Sequence, residues 1–535
     1  MKTMINSIIL ASCLALPLAS CSDSDAAPEQ KDWSTTTYFN SSDAAAQDTY
    51  YKPAVGYVGD PMPFFDPVAG DFKVLYLQDF RPNPEGTYHP IWGVSTKDAA
   101  HYTALGELVS CGTLKSQDAA IGTGSTIYDE ASKLYYTFYT GNKYKPTGDE
   151  SAQAVMVATS ADFKTWTKDR TFLIKGQDFG YDKNDFRDPF VFKGDDGKFH
   201  MLVSTKKGGK GSLAEFVSDD LKNWTDNGVF MTMMWDRFYE CPDLFKMGDY
   251  WYLVYSELHH AVRRVQYFKG RTLDELKACT ANDAGIWPDA HEGFLDSRGL
   301  YAGKTASDGT NRYLWGWCPT RSGKDNTAVG ASPAEPEWAG NLVCYKLIQH
   351  EDGTLTLGQI DAVSEKYNQD VAVEVKESQN MTEADGTYTL AGSVEQPDAY
   401  MLMGRLGNHN KISFTVTTSN EWDKFGISMV RGSDSKKYYT MVVNPENENN
   451  RKVNFEEQGV EGKGFIAGID GYVFARPADN VYNITIYTDN SICVMYINDV
   501  CSYTNRIYGI QKNCWSINSY NGANVKISNL KISQY

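Results

Sequence analysis

Positive charge is scarce in this chain. Its 51 lysines and arginines are outnumbered by 68 aspartates and glutamates, leaving a formal net charge of −17 at pH 7. That balance argues against nucleic acid as a partner, because phosphate binding needs basic surface to release counterions. Cysteine and histidine are used thinly as well. Beyond Cys13 and Cys21 the cysteines are scattered without CxxC pairs or histidines at ligand spacing, so neither a metal site nor a cofactor is indicated. Cys493, Cys501 and Cys514 could form a disulfide in an oxidising compartment, and most of the others read as small buried residues. Outside the N-terminal leader no apolar run approaches the eighteen or more residues of a membrane helix. What the chain does have is aromatic surface, 13% of residues with 34 tyrosines and 12 tryptophans. These suit β-strands, and their flat faces also suit the apolar faces of sugar rings.

The leader reads as a targeting segment: Lys2, an apolar run over residues 8–18, and small residues before Cys21. Leu18-Ala19-Ser20-Cys21 resembles a bacterial lipobox. The expectation is therefore a lipoprotein signal peptide over residues 1–20, lipidation of Cys21, and a small, polar tether over 21–45. The only membrane contact would be that lipid, placing the protein in a bacterial cell envelope, with the outer membrane as its expected site. The alternative is a plain secretory signal with a coincidental cysteine.

A chain of 535 residues is too long for one ordinary core, so two domains are expected. Internal repetition shows what the first is. Five times a short segment leads through a tight turn into an aromatic-rich strand: Gly59-Asp60-Pro61, Gly122-Thr123-Gly124-Ser125, Arg187-Asp188-Pro189, Glu240-Cys241-Pro242 and Asp296-Ser297-Arg298. A second motif recurs as Thr96-Lys97-Asp98-Ala99, Ser160-Ala161-Asp162-Phe163 and Ser218-Asp219-Asp220-Leu221, and reads as an outer-strand turn. The period exceeds the roughly 40 to 50 residues of common propeller repeats. An all-β fold is predicted, with a five-bladed β-propeller over residues 46–350. A connector over 351–376 leads to a C-terminal β-sandwich over 377–535, where residues 411–417, 425–430, 438–443, 484–487 and 493–497 alternate like strands. The sandwich reads as packed support for the propeller.

In a propeller the first strand of each blade lines the central channel, so residues at equivalent starts converge on one axis. Three of the five starts carry a carboxylate: Asp60, Asp188 and Glu240. Glycoside hydrolysis needs a carboxylic acid to protonate the leaving oxygen and a carboxylate to attack or to activate water. Clustering and burial push one carboxyl up in pKa while a cation, for which Arg187 is placed, holds another ionised. The plainer reading of any one motif is an Asp-Pro turn, as at Asp66-Pro67; the set at equivalent positions favours a site.

These motifs resemble glycoside hydrolase family 32, the invertase, inulinase and levanase family. Phe186-Arg187-Asp188-Pro189 and Tyr239-Glu240-Cys241-Pro242-Asp243 are similar to its Arg-Asp-Pro and Glu-Cys-Pro motifs. Trp338-Ala339-Gly340 resembles its late propeller motif, and residues 486–499 and 504–508 resemble its C-terminal sandwich signature. The resemblance implies a retaining mechanism on fructosyl linkages of a fructan or sucrose-like sugar, with Asp60 as nucleophile, Glu240 as acid/base and Asp188 as transition-state stabiliser. The two reacting carboxyls would lie roughly 5 to 5.5 Å apart. It further implies substrate contacts for Arg187, Gln78 and Thr123, with Trp92 and Trp338 as pocket walls. Two motifs depart from the family. Its Asn-Asp-Pro-Asn-Gly is Gly59-Asp60-Pro61-Met62-Pro63 here, and its Phe-Ser-Gly-Ser is Gly122-Thr123-Gly124-Ser125. The alternatives are a related five-bladed glycosidase acting on arabinose or xylose glycans and a lipid-anchored glycan-binding protein without turnover.

Overall fold

The computed structural model describes residues 49–80, 89–233, 238–257, 264–279, 292–297, 299–320, 338–431, 438–445, 453–458, 474 and 476–535. The leader, Cys21 and the tether lie outside them. Among the described residues no helix is long and apolar enough to cross a membrane.

The N-terminal part is a β-propeller built from four-stranded antiparallel meanders. The first comprises Tyr57–Asp66, Asp71–Asp79, Ile91–Thr96 and Thr103–Val109, and the second Ala120–Asp129, Leu134–Asn142, Gln153–Ser160 and Thr167–Lys168. The third comprises Phe186–Lys193, Phe199–Lys207, Lys210–Ser218 and Thr225–Thr232, and the fourth Tyr239–Met247, Tyr250–Glu257, Arg264–Gly270 and Glu292–Phe294. Tyr301–Ser307, Arg312–Pro319, Gly340–Gln349 and Leu355–Gly358 form the fifth. Each innermost strand touches the innermost strand of the next unit, and the fifth touches the first. A bridge between Val58 and Gly340 joins those two units into one sheet. Apolar faces pack between neighbours: Leu75, Ile121 and Tyr139 between the first and second units, Phe138, Phe186 and Val203 between the second and third, and Leu202, Tyr239 and Leu253 between the third and fourth.

The recurring Thr/Ser-x-Asp motif is a turn device. Asp162 accepts the backbone N–H groups of Lys164 and Thr165, and Asp220 those of Lys222 and Asn223. These bonds, made to the ionised form, hold both carboxyls down to about 2. The next residue, Ala99, Phe163 or Leu221, takes a positive φ and is buried. The polar turn thus pins an apolar plug at the outer rim.

The fifth start motif is the one the structure reassigns. Asp296-Ser297 precedes the innermost strand, which begins at Tyr301, and Arg298 lies outside the described residues. The buried Asp296 carboxylate instead accepts from Ser502 Oγ at 2.9 Å, Thr504 N at 2.8 Å and Thr504 Oγ1 at 2.7 Å. It is an anchor for the second domain, which is why a turn-like acidic triplet imitates a strand start.

That domain is a two-sheet β-sandwich. One sheet runs in spatial order Met381–Ala384, Thr387–Ala391, Asn524–Gln534, His409–Thr418, Val481–Asp489, Ile492–Ile497 and Cys501–Arg506. The other contains Val375–Gln379, Ala399–Arg405, Cys514–Ser519, Phe425–Arg431, Tyr438–Val443 and Val453–Gln458. Ile412, Phe414, Ile427, Trp515 and Ile527 fill the space between. Strand pairing carries the propeller to Gly358 rather than to 350, and brings Gln369–Val371 and Val375–Gln379 into the sandwich sheets. Most of the segment expected as a connector is therefore structural; a short helix, Asp361–Lys366, lies within it. The eight cysteines from Cys111 to Cys514 are free thiols, so no disulfide links Cys493, Cys501 or Cys514.

The propeller and sandwich share a core in which Tyr345 and Leu355 meet Tyr487, Val494 and Tyr496. Arg506 completes the junction from within it. Only 2% exposed, it donates to the carbonyls of Cys318 at 2.9 Å and Pro319 at 3.1 Å, to Asn341 Oδ1 at 2.6 Å and to Ser491 Oγ at 2.9 Å. An Arg506→Met substitution removes four donated bonds from this buried junction. We expect it to destabilise the protein by roughly 3 kcal/mol or more, measured by urea unfolding; a loss within about 0.5 kcal/mol would show the junction to be held by apolar packing alone.

Candidate active site

The register slips near the start of every innermost strand. The irregularity falls between Gly59 and Met62, Gly122 and Gly124, Arg187 and Phe190, Glu240 and Asp243, and Tyr301 and Lys304. In four of the five the residue in the slip has a positive φ: Asp60 at 33°, Asp188 at 58°, Cys241 at 52° and Ala302 at 52°. L-residues pay roughly 1 to 3 kcal/mol for such a backbone, which persists where surrounding structure over-determines it. A β-bulge also re-aims side chains, and here slip residues of different units meet: Thr123 bonds to Asp60, and the Cys241 N–H to Asp188.

Aligning the slips refines the expectation from repetition. Asp60, Thr123, Asp188, Cys241 and Ala302 are equivalent. Glu240 belongs one position earlier, in the row of Gly59, Gly122, Arg187 and Tyr301. The three carboxylates thus come from two adjacent rows rather than one, and the rows supply one another's partners.

Asp60 accepts the Thr123 hydroxyl at Oδ2 (2.7 Å) and the Trp317 indole N–H at Oδ1 (3.0 Å). Both bonds suit an ionised, acceptor-only carboxylate. Glu240 accepts Arg187 Nη2 at 2.8 Å and the Tyr301 hydroxyl at 2.5 Å. Arg187 is itself held by Asp185 at 2.7 Å and lies 3.8 Å over the Phe238 ring. Asp188 is 3% exposed; its Oδ2 accepts the Cys241 backbone N–H at 2.9 Å, and its own N–H donates to Thr140 Oγ1 at 2.8 Å. Burial pushes the Asp188 carboxyl up to about 7, with Arg187 opposing and the negative charges of Glu240 and Asp60 adding to the rise. Asp60 and Glu240 are only partly buried, so a ligand can reach them.

The remaining residues singled out from sequence divide. Arg187 and Thr123 are in the site, as described. Trp338 is beside it: its ring centroid lies 6.2 Å from that of Trp317 and 4.2 Å from that of His89, in an apolar cluster with Cys241, Tyr301 and Ala302. A Cβ on Gly59 would stand 2.3 Å from the Trp338 ring. The indole therefore fills the space next to the nucleophile candidate that a residue larger than glycine would need. Gln78 is fully buried, with its amide donating to the Val55 carbonyl at 2.5 Å. Trp92 sits in the third strand of the first unit, 5.9 Å from the Phe80 ring. Among the described residues neither is bonded to the three carboxylates.

Sequence reasoning missed Tyr301, Trp317 and Thr140. Tyr301 had a usable signal: it stands where Arg187 and Glu240 stand in their units, once the fifth start is read from Tyr301-Ala302-Gly303. Trp317 and Thr140 lie on second strands, where no repeated motif marks them. Among the described residues no cluster of histidine, cysteine, aspartate and glutamate could hold a metal. The arrangement can deliver a proton, offer a carboxylate nucleophile and hold hydroxyl groups.

Comparison with known proteins adds the family. Residues 50–360 match the model for the N-terminal domain of glycosyl hydrolases family 32, and residues 353–532 match that for the GH32, BT1760-like, C-terminal domain. An insoluble β-fructofuranosidase isoenzyme of Arabidopsis thaliana is 26% identical over 320 residues, covering 54% of this chain and 51% of its own length. A sucrose-6-phosphate hydrolase of Staphylococcus xylosus is 24% identical over 345 residues, covering 61% and 65%. The chain thus spans between half and two thirds of these relatives. In fold it is similar to fructan 1-exohydrolase IIa from Cichorium intybus, with a TM-score of 0.69, 17% identity and coverage of 92% and 97%. Exo-inulinase from Aspergillus awamori gives 0.67, 16%, 91% and 98%. With both family models matching in order across the propeller and the sandwich, the chain belongs to glycoside hydrolase family 32.

Proposed function

We propose that this protein hydrolyses fructosyl linkages of a fructan or sucrose-like sugar by retaining double displacement. The observation that carries this reading is the differing partnership of three gathered carboxylates. Asp60 faces neutral donors and attacks the anomeric carbon. Glu240, oriented by Arg187 and Tyr301, gives its proton to the leaving oxygen as that bond breaks. Water then attacks the glycosyl ester, Glu240 takes the water's proton, and Asp60 leaves as a carboxylate. Asp188 holds sugar hydroxyls as positive charge builds on the ring, and Trp338 offers an apolar wall beside Asp60. The names borne by family members, β-fructofuranosidase and fructan exohydrolase among them, support fructose as the transferred sugar.

Export and tethering through Cys21 complete the proposal, so that the enzyme works from a bacterial envelope on sugar outside the cytoplasm. Labelled palmitate incorporated by the wild type and absent from Cys21→Ser is the expected result; equal labelling would refute the anchor.

The activity is tested by product release from sucrose, inulin, levan, arabinan and xylan, with NMR following the anomeric configuration. Fructose released with retention is expected, with kcat lowered at least 100-fold in Glu240→Gln, in keeping with the usual weight of acid/base catalysis. Release of arabinose or xylose instead would move the substrate, and binding without product would leave a glycan-binding protein.

Asp188 carries a second expectation, for stability. Its folded-state pKa is raised from 3.8 to about 7. Below the lower value both folded and unfolded chains are protonated there; above the upper value the folded chain bears a buried charge. Asp188→Asn is therefore expected to stabilise the protein at pH 8 by on the order of a few kcal/mol and to change little at pH 4. Equal effects at both pH values in thermal unfolding would contradict this.

A further inference from the structure

The acid/base candidate is held by an arginine that is itself held from the far side. A guanidinium is a flat, rigid fork, so fixing one of its nitrogens fixes where the other lies. In Arg187 the two ends of the fork serve different carboxylates. Nη2 donates to Glu240 Oε1 at 2.8 Å, while Nη1 donates to Asp185 Oδ1 at 2.7 Å and, more loosely, to Gln153 Oε1 at 3.4 Å.

Asp185 is firmly seated. It stands just before the third innermost strand, which begins at Phe186. Its N–H donates to Asp182 Oδ1 at 3.1 Å, and its carbonyl accepts the hydroxyl of the buried Thr205 at 2.7 Å. Its second carboxylate oxygen, Oδ2, lies 3.3 Å from Lys206 Nζ. Burial works to raise the Asp185 carboxyl, but Arg187 and Lys206 bring it below its ordinary value. Gln153, from the neighbouring unit, accepts the Phe186 N–H at 3.0 Å with the oxygen that faces Arg187, and its amide donates to Asn142 Oδ1 at 3.0 Å. Groups from two units thus converge on one nitrogen of Arg187. Glu240 is bonded to Arg187 and Tyr301, and Asp185 reaches it only through the arginine.

What Asp185 adds is direction rather than charge. Burial opposes the Arg187 charge, and Glu240 and Asp188 support it ahead of Asp185, so a further carboxylate is not needed to keep the guanidinium positive. The short bond on Nη1 does something those two cannot. Arginine favours meeting a carboxylate with both nitrogens at once, and a released Nη1 would let the fork close on Glu240 and turn that carboxyl away from the leaving oxygen.

We infer that Asp185 is a positioning residue for the proton-transfer step: its bond to Nη1 stops the Arg187 fork from closing on Glu240 and keeps that carboxyl aimed at the leaving oxygen. The inference rests on Glu240 as acid/base. Two substitutions separate geometry from charge. Asp185→Ala removes the acceptor, whereas Asp185→Asn leaves an oxygen in its place. Misplacing a reacting group by about 1 Å can cost about 100-fold. On the fructan or sucrose that the wild type cleaves, Asp185→Ala is therefore expected to lower kcat at least roughly tenfold with KM little changed, and Asp185→Asn to recover most of that loss.

Fructosyl fluoride supplies a readout that a merely structural role would not give. Its fluoride departs with the bonding electrons as Asp60 attacks and needs no proton from Glu240. Fluoride release in the first turnover of Asp185→Ala should thus stay within about twofold of the wild type. Added to Glu240→Gln, Asp185→Ala should cost little more on the natural donor, because residues that act through one another are not additive. Equal losses on both donors, a full further loss in Glu240→Gln, or an alanine variant as active as the wild type throughout would overturn the inference. Failure of the underlying reading looks different: the wild type is inactive, or Glu240→Gln matches it, before Asp185 is changed, and the positioning role falls with it.

Discussion

A one-residue slip near the start of each innermost strand governs this site. Strand pairing alone would send alternate side chains up and down the ring in strict register. The slip lets two successive residues of one strand turn toward the axis, so Arg187 and Asp188 both serve the site, as do Glu240 and the backbone N–H of Cys241. Its strain is borne by the four-stranded sheets behind it and by the apolar layers between units, including Phe138, Tyr139 and Tyr239, all less than 1% exposed.

Gathering carboxylates in this way creates an electrostatic difficulty, and the surroundings distribute it unevenly. Glu240 shares a guanidinium, Asp60 accepts from a hydroxyl and an indole, and Asp188 is driven toward its protonated form by burial. Chemically similar acids are separated into different roles by what touches them. The sandwich contributes from a distance: Asp296, Thr504 and Arg506 tie it to the fourth and fifth units, and the fifth unit supplies Tyr301 and Trp317.

Much of this was legible in the sequence because the signals repeat. The Asp60, Arg187-Asp188 and Glu240 starts and the turn motifs at Asp98, Asp162 and Asp220 mark units by recurrence, which single motifs cannot do. What escaped reading has identifiable causes. Asp296 imitates a strand start because an acidic residue before a turn looks alike whether it serves a site or a domain junction. The wall expected from Trp92 and the sugar contact expected from Gln78 depended on where second and third strands face, and both side chains are engaged elsewhere. Gly59, a departure from the family pattern when read alone, becomes intelligible beside the Trp338 ring that occupies its space.

The most direct test of the chemistry is to trap the sugar on the enzyme. Treating Glu240→Gln with a fructosyl donor whose leaving group needs no protonation should allow the first displacement and stall the second. Mass spectrometry of the digested protein should then find a fructosyl adduct on the peptide carrying Asp60. An adduct on another carboxylate, or turnover with inversion and no adduct, would contradict the assignment of Asp60 as the nucleophile of a retaining enzyme.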